Sequence, residues 1–306
     1  MSTSVLTRCA LHALDKIAPL RLAEPWDNVG LLLESPVSRP DARRIVLTID
    51  LTPPVLTATL AHPTALLIAY HPPLFKPVSR LILNTHLHSA LLRLAGAGVS
   101  VYSPHTALDS VTGGINDWLV EGVIPMREDG EPQVEHEAVV SYLDGPIHEQ
   151  DQGGKGRLVV LRNAISVEEL VNMIKRHLGI EYVDLARPLI QRSVRSVAIC
   201  AGSGGSVLAG VDADVYFTGE MAHHDVLAAV AAGRYVVLCG HTNTERSYLP
   251  ILASKLRTTL SELAHADACP EDERGECVLL TEEDRRVLEN VEVVVCAEDK
   301  HPLERM

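Results

Sequence analysis

Apolar and polar positions along this chain alternate in a plan that is written twice. In the first half, "RIVLTID" (44–50), "ALLIAY" (65–70) and "VSVYS" (99–103) are short apolar runs. They are separated by "PPVLTATLAH" and "NTHLHSALLRLAGAG", stretches of helical length. Such alternation predicts a buried, largely parallel sheet with helices packed on it. The second half repeats it with "VRSVAIC" (194–200), "ADVYFTG" (213–219) and "YVVLC" (235–239), spaced by "SVLAG" (206–210) and "HHDVLAAVAAG". The second run of each half ends in a polar cluster, "YHPP" (70–73) and "GEMAHHD" (219–225). The third ends in His-Thr with a carboxylate four residues after the His, in "PHTALDS" (104–110) and "GHTNTER" (240–246). This is an internal duplication of supersecondary units. Ligands collect at the carboxyl ends of strands in α/β sheets, and all four clusters fall there.

The pattern between the halves is different. "REDGEPQVEHEA" and "HEQDQGGKGR" are polar and read as linkers or exposed loops. Residues 157–186 then read strand, helix, strand, with Ser166 as N-cap, Glu168 and Glu169 in the first turn, and Val167, Leu170, Val171, Ile174 and Leu178 on one face. The expected organisation is a first α/β lobe over 1–125, a linker and connecting strand-helix-strand module over 126–192, and a second α/β lobe over 193–306. If the lobes face each other about a pseudo-twofold axis, each motif supplies one side of a shared site. The opening segment has a helical rhythm (Leu6, Ala10, Leu11, Leu14) and reads as a core helix.

Composition narrows the partners. With 306 residues the chain can bury two cores. A formal charge of −13 repels phosphate backbones, and no Lys/Arg stripe interrupts it, so direct nucleic-acid binding is not expected. No apolar stretch reaches the roughly 20 residues of a membrane span. The six cysteines form no C-x-x-C pair and fit a reducing compartment. Cys269 and Cys277 flank the acidic "PEDERGE" and read as incidental thiols. Cytoplasmic localisation is expected, with mitochondrion and nucleus left open.

The chemistry rests on the paired motifs. On an extended strand a His and a carboxylate four apart would be about 13 Å apart, so they converge only where the chain turns or begins a helix. "TALD" and "TNTE" both open onto helix-like segments. One such spacing is worth little; two at equivalent strand ends, with His71 at a third, point to a metal site. Imidazole and carboxylate together suit Zn, Mn and Fe(II), and a doubled set can hold two metals roughly 3.5–4 Å apart. Loop histidines satisfied by neighbours, and a His-carboxylate acid/base pair without metal, remain alternatives. His224 and Asp225 are candidates for supporting the ligands from behind. Cys200 and Cys239 read as small buried residues rather than soft ligands. "CAGSGG" (200–205) lacks the Gly-Lys-[Ser/Thr] of a phosphate loop and reads as a tight turn. In "PWDNVGLLLE" Trp26 is expected in the core and Asp27-Asn28 in a turn.

Taken together, "WDNVGLLLE", "YHPPLFKP", "YSPHTALD", "GGINDWL", "CAGSGGSVL", "FTGEMAHHD", "GHTNTERSYL" and "EDKHPLE" resemble the Nif-three-like (Ngg-one-interacting-factor) family over nearly the whole chain. Some of its members are labelled GTP cyclohydrolase type 2. The resemblance implies two similar α/β domains facing each other across a metal-binding cleft, one or two divalent metals (Zn, Fe or Mn), and a hexameric ring. The implied ligands are His71, His105, Asp109, His241 and Glu245. One position departs: many bacterial members have His-His-Pro, whereas Tyr70 precedes His71 here, as in the eukaryotic branch. A phenol with a pKa of about 10 is a poor ligand near neutrality, which leaves the metal count at one or two and Tyr70 beside the ligands rather than among them. Two functions fit: a metal-dependent hydrolase of a nucleotide or related small molecule, and a non-catalytic metal-binding regulatory or delivery protein acting through protein partners.

Overall fold

The computed structural model describes residues 4–37, 39–124, 138–144, 153–266, 268–269 and 278–303. Nearly all of "REDGEPQVEHEA", the first half of "HEQDQGGKGR", and "PEDERGE" with Cys277 lie outside them. The fold is mixed α/β with two principal sheets, and the chain divides into two compact units. One comprises Met1–Leu108 with Leu249–Met306, the other Asp109–Tyr248.

The first unit holds a five-stranded sheet. Its strands are β1 (Gly30–Leu33), β2 (Arg44–Thr48), β3 (Thr64–Ala69), β4 (Ser100–Ser103) and β13 (Glu292–Val295), in the order β1-β4-β3-β2-β13. Strands β4, β3, β2 and β13 run parallel, and β1 lies antiparallel on the β4 edge. Every residue of β3 is buried, the continuous apolar strand that a sheet covered on both faces requires. Helices Pro53–Leu60 and His86–Gly96 supply Val55, Leu56, Leu91 and Leu94 to one face, against Val46, Leu67 and Val101. Helices Val5–Ile17 and Leu249–Ala264 pack on other parts of the sheet. The expected opening helix is present, capped by the Ser4 hydroxyl accepting from the Thr7 amide and burying Leu6, Ala10 and Leu14.

The second unit holds six strands: β5 (Ala138–Ser141), β6 (Arg157–Ile165), β7 (Asp184–Ala186), β8 (Val194–Ser203), β9 (Val215–Glu220) and β10 (Tyr235–Leu238). Their order is β5-β6-β8-β9-β10-β7, with β8, β9 and β10 parallel. The strand-helix-strand reading of 157–186 matches β6, the helix Val167–Leu178 and β7, with Ser166 as N-cap. The unit boundaries differ from the expected lobes. Strands β6 and β7 do not form a separate connector: they pair antiparallel with β8 and β10 and extend the second sheet on both sides. An isolated two-stranded unit would leave its backbone groups unpaired, and joining an existing sheet satisfies them. Leu249–Met306, expected in the second lobe, instead returns to the first unit and adds β13 to its edge. A further pair, β11 (Ala268–Cys269) and β12 (Val278–Leu279), is short and antiparallel.

Candidate metal centre

In the first unit, three strand ends bring the candidate histidines together. His71 follows β3, and its Nδ1 lies 3.0 Å from the Asp50 carboxylate that follows β2. His105 follows β4 and opens the helix His105–Ser110 with φ at +30°, the sole positive φ outside glycine among the described residues. Its Nδ1 lies 2.8 Å from both carboxylate oxygens of Asp27. The Asp27 side chain has no exposed surface and also accepts from the Thr106 amide (3.2 Å) and hydroxyl (2.5 Å). Burial by itself would raise the Asp27 pKa; the hydrogen bonds from His105 and Thr106 and the attraction of His105 outweigh it and hold the carboxyl below its ordinary range. Asp27 is thus a working carboxylate rather than a bare turn residue. Its partner stands 78 positions away, so no local spacing signals it.

The His71 and His105 rings lie 5.5 Å apart. The buried Tyr70 ring packs against both, at 5.0 and 5.5 Å between centroids. Ser103 donates to the Tyr70 carbonyl at 2.7 Å. Tyr70 therefore sets the positions of two imidazoles by ring contact. Trp26 departs from expectation: it is not a core residue but 60 % exposed, with its ring 6.3 Å from that of His105. The hydrogen bonds of Asp27 and the neighbouring chain hold that loop at the surface end of the histidine cluster.

In the second unit the arrangement is built around glycine. His241 opens a 3₁₀ turn, His241–Thr244, after Gly240 in the left-handed region, and Glu245 closes it. His241 Nδ1 lies 3.0 Å from Glu220 at the end of β9, and Nε2 lies 3.4 Å from Glu245. Glu245 is buried. A Cβ on Gly202 would stand 2.5 Å from Glu245 Oε1 and 3.0 Å from His241 Nε2, and Gly202 has φ +59°. The "CAGSGG" turn therefore approaches His241 and Glu245 as closely as only glycine allows. The Thr244 hydroxyl ties the two segments, accepting from the Gly202 amide at 2.9 Å and donating to the His241 carbonyl at 2.7 Å.

Asp109 lies in the last turn of His105–Ser110. Its carbonyl accepts from Asn116 at 3.0 Å, and the Asn116 side-chain oxygen accepts from the Ala201 amide beside Gly202 at 2.9 Å. The buried Arg157 grips the chain just beyond, donating to the carbonyls of Ser110 (3.4 Å) and Val111 (3.2 Å) and to the Asp117 carboxylate (2.5 and 3.0 Å). Burial, with added repulsion from Asp109 and Glu245, drives the Cys200 thiol well above its ordinary range, and burial pushes Cys239 up to about 12. Cys239 is buried as expected, whereas Cys200 is only partly so.

His224 and Asp225 sit exposed in the first turn of the helix His223–Ala231, with the His224 ring 5.4 Å from His223. The carboxylates seen on the candidate histidines are Asp27, Asp50 and Glu220 instead. Asp50 and Glu220 stand at or just past strand ends, a signal the sequence carried. The same relation recurs three times: Nδ1 faces a carboxylate, which fixes the ring and favours Nε2 as the electron-pair donor. Within the second unit, His241 and Glu245 against the Gly202 turn offer an imidazole and a carboxylate of the kind that suits a divalent metal.

Among the described residues no helix is long and apolar enough to cross a membrane. Residues 6–269 match the model for Duf34/NIF3 (NGG1p interacting factor 3). The chain is 38 % identical over 262 residues to "Protein NIF3 homolog" of Schizosaccharomyces pombe, covering 85 % of this chain and 92 % of that protein. It is 37 % identical over 254 residues to "NGG1-interacting factor 3" of Saccharomyces cerevisiae, covering 78 % and 86 %. Among solved structures it is similar to a Bacillus cereus protein related to NIF3, with TM-score 0.69, 16 % identity, and coverage of 97 % and 98 %. That last likeness concerns the fold. With a family model spanning most of its length and relatives this similar across most of theirs, the chain belongs to the Duf34/NIF3 family.

Proposed function

We propose that this protein is a metal-dependent hydrolase acting on a nucleotide or related small molecule. Its divalent ion, one or two of Zn, Fe or Mn, would be held by His71, His105, Asp109, His241 and Glu245. Within the second unit, His241 and Glu245 lie side by side and supply an imidazole and a carboxylate of the kind such an ion takes. The observation that carries the reading is the carboxylate on Nδ1 of all three histidines. Satisfied surface histidines have no need of three separately recruited carboxylates. A bound divalent ion supplies Lewis acidity that polarises substrate and activates water. The chain's own part is to orient Nε2 through Asp27, Asp50 and Glu220, to bring Glu245 against the Gly202 turn, and to fix the Asp109 segment through Asn116 and Arg157.

The test is metal analysis of purified protein followed by a nucleotide-hydrolysis panel. Chelation should abolish turnover, Mn, Zn or Fe(II) should restore it, and His241→Ala should stay inactive after the same metals are added. Turnover in chelator equal to that of the loaded protein would sink the mechanism. A second reading, a metal-binding regulatory or delivery protein acting through partners, is favoured by the name of the Saccharomyces cerevisiae relative, "NGG1-interacting factor 3". A loaded protein inactive on every nucleotide would favour it. Homo-oligomeric assembly, a hexameric ring by family resemblance, and a cytoplasmic site of action belong to the same proposal.

A further inference from the structure

Two large aromatic side chains of the first unit stand in solvent beside the histidine pair. Trp26 is 60 % exposed and Phe75 47 %. Their centroids lie 6.0 Å apart in an edge-on arrangement, and each is 6.3 Å from the His105 ring. Scattered exposed hydrophobics need no explanation, but these are paired and their loops are pinned. The Glu24 amide donates to the Thr106 hydroxyl at 2.9 Å on one side of Trp26, and Asp27 is bonded to His105 and Thr106 on the other. The Asn28 side chain donates through Nδ2 to the carbonyl of Leu74, the residue before Phe75. The two loops are therefore tied to each other within two residues of each ring. Rings held this way lose little conformational freedom when something covers them, which is the condition for a preorganised binding surface. Their place beside His105 selects a small ligand whose reacting part would lie at the histidines.

We propose that Trp26 and Phe75 form a subsite that stacks the planar heteroaromatic ring of the substrate, which makes the substrate class nucleobase-bearing rather than an aliphatic phosphate or acyl compound. The assignment of this ring to a substrate rests on the hydrolase reading; the stacking surface itself does not need a metal. Stacking tolerates the identity of the base because every base has a π-face, and it contributes about five-fold to a hundred-fold in affinity per ring.

The experiment uses the full chain in chelator, with AMP and GMP as probes and ribose 5-phosphate as the control that lacks a ring. AMP and GMP should quench tryptophan emission saturably, the quench should vanish in Trp26→Phe, and ribose 5-phosphate should leave emission unchanged. Equilibrium dialysis in chelator, where metal uptake plays no part, should show Phe75→Ala and Trp26→Ala binding the nucleotides at least five-fold more weakly. Both side chains are exposed, so the variants should fold, and circular dichroism checks this. Equal binding of ribose 5-phosphate, no saturable binding, or a blue shift of Trp26 emission with protein concentration alone would overturn the proposal, the last by showing that a second copy of the chain covers the pair. Nucleotide binding without any zinc uptake would remove the metal reading and leave the subsite. Metal-dependent turnover with an unchanged KM in Phe75→Ala would do the reverse.

Discussion

His105 and His241 each follow a parallel strand, each precede a carboxylate by four residues, and each present Nδ1 to a carboxylate. Their supports differ. His105 opens an α-helix, draws a fully buried Asp27 from a distant loop, and is packed among Tyr70, His71, Trp26 and Phe75. His241 opens a 3₁₀ turn, takes a half-exposed Glu220 from the adjoining strand, and sits against glycine. A duplicated motif has kept its donors while one copy is positioned by bulk and the other by the absence of it. The two copies should therefore fail in different ways when disturbed.

The largest effect is expected at Gly202. Gly202→Ala places a Cβ against Glu245 and His241 in left-handed backbone, so it should destabilise the fold by at least about 1 kcal/mol and abolish metal uptake. Denaturant unfolding and elemental analysis measure the two; a variant with normal metal content would remove the cradle from the argument. Next come the carboxylate donors. Asp109→Ala and Glu245→Ala should each remove more metal than Tyr70→Phe, because a carboxylate brings charge to the cation while Tyr70 acts through ring contact. A Tyr70→Phe protein that loses the most metal of the three would overturn the ligand set.

The orienting carboxylates sharpen the comparison. Asp27→Asn should lower metal affinity by about 10–100-fold. Glu220→Gln should cost less, since its carboxylate is more than half exposed and water can replace it. Competition titration with a chromogenic chelator ranks them, and the reverse order would mean that burial does not decide the strength of support. The smallest effect concerns a second aromatic–histidine contact. Trp118, unlike Trp26, is buried, with its ring 4.5 Å from that of His177. Burial lowers the His177 pKa, partly offset by a backbone hydrogen bond to Trp118. The unfolded chain therefore binds the proton more readily: stability is full above about pH 6.5 and falls as pH drops through the window below it. His177→Gln should flatten that slope in urea midpoints measured across the window, and an unchanged slope would assign it to other groups.

Much of this was legible from apolar runs alone. The six strands of the duplicated plan, and the capped helix after Ser166, follow from local periodicity and short-range hydrogen bonds. The return of 249–306 to the first unit was not, because strand partners are chosen by the whole sheet and β13 carries no mark of which edge it joins. His105 and His241 stood out as candidates because duplication made them repeat. Asp27 was not, because its partner lies 78 positions away, and Trp26 was misplaced because large aromatics are ordinarily buried.

The backbone of His105 has a consequence for how this protein can change. A histidine at φ +30° pays in conformational energy for its position, and substitution by glycine or asparagine relieves it. That relief is opposed by Asp27, whose buried carboxylate loses its imidazole partner when His105 is replaced. Purely thermal selection in a directed-evolution experiment therefore weighs a strained backbone against an unpaired carboxylate, and the frequency with which His105 and Asp27 are lost together measures how strongly function holds the pair.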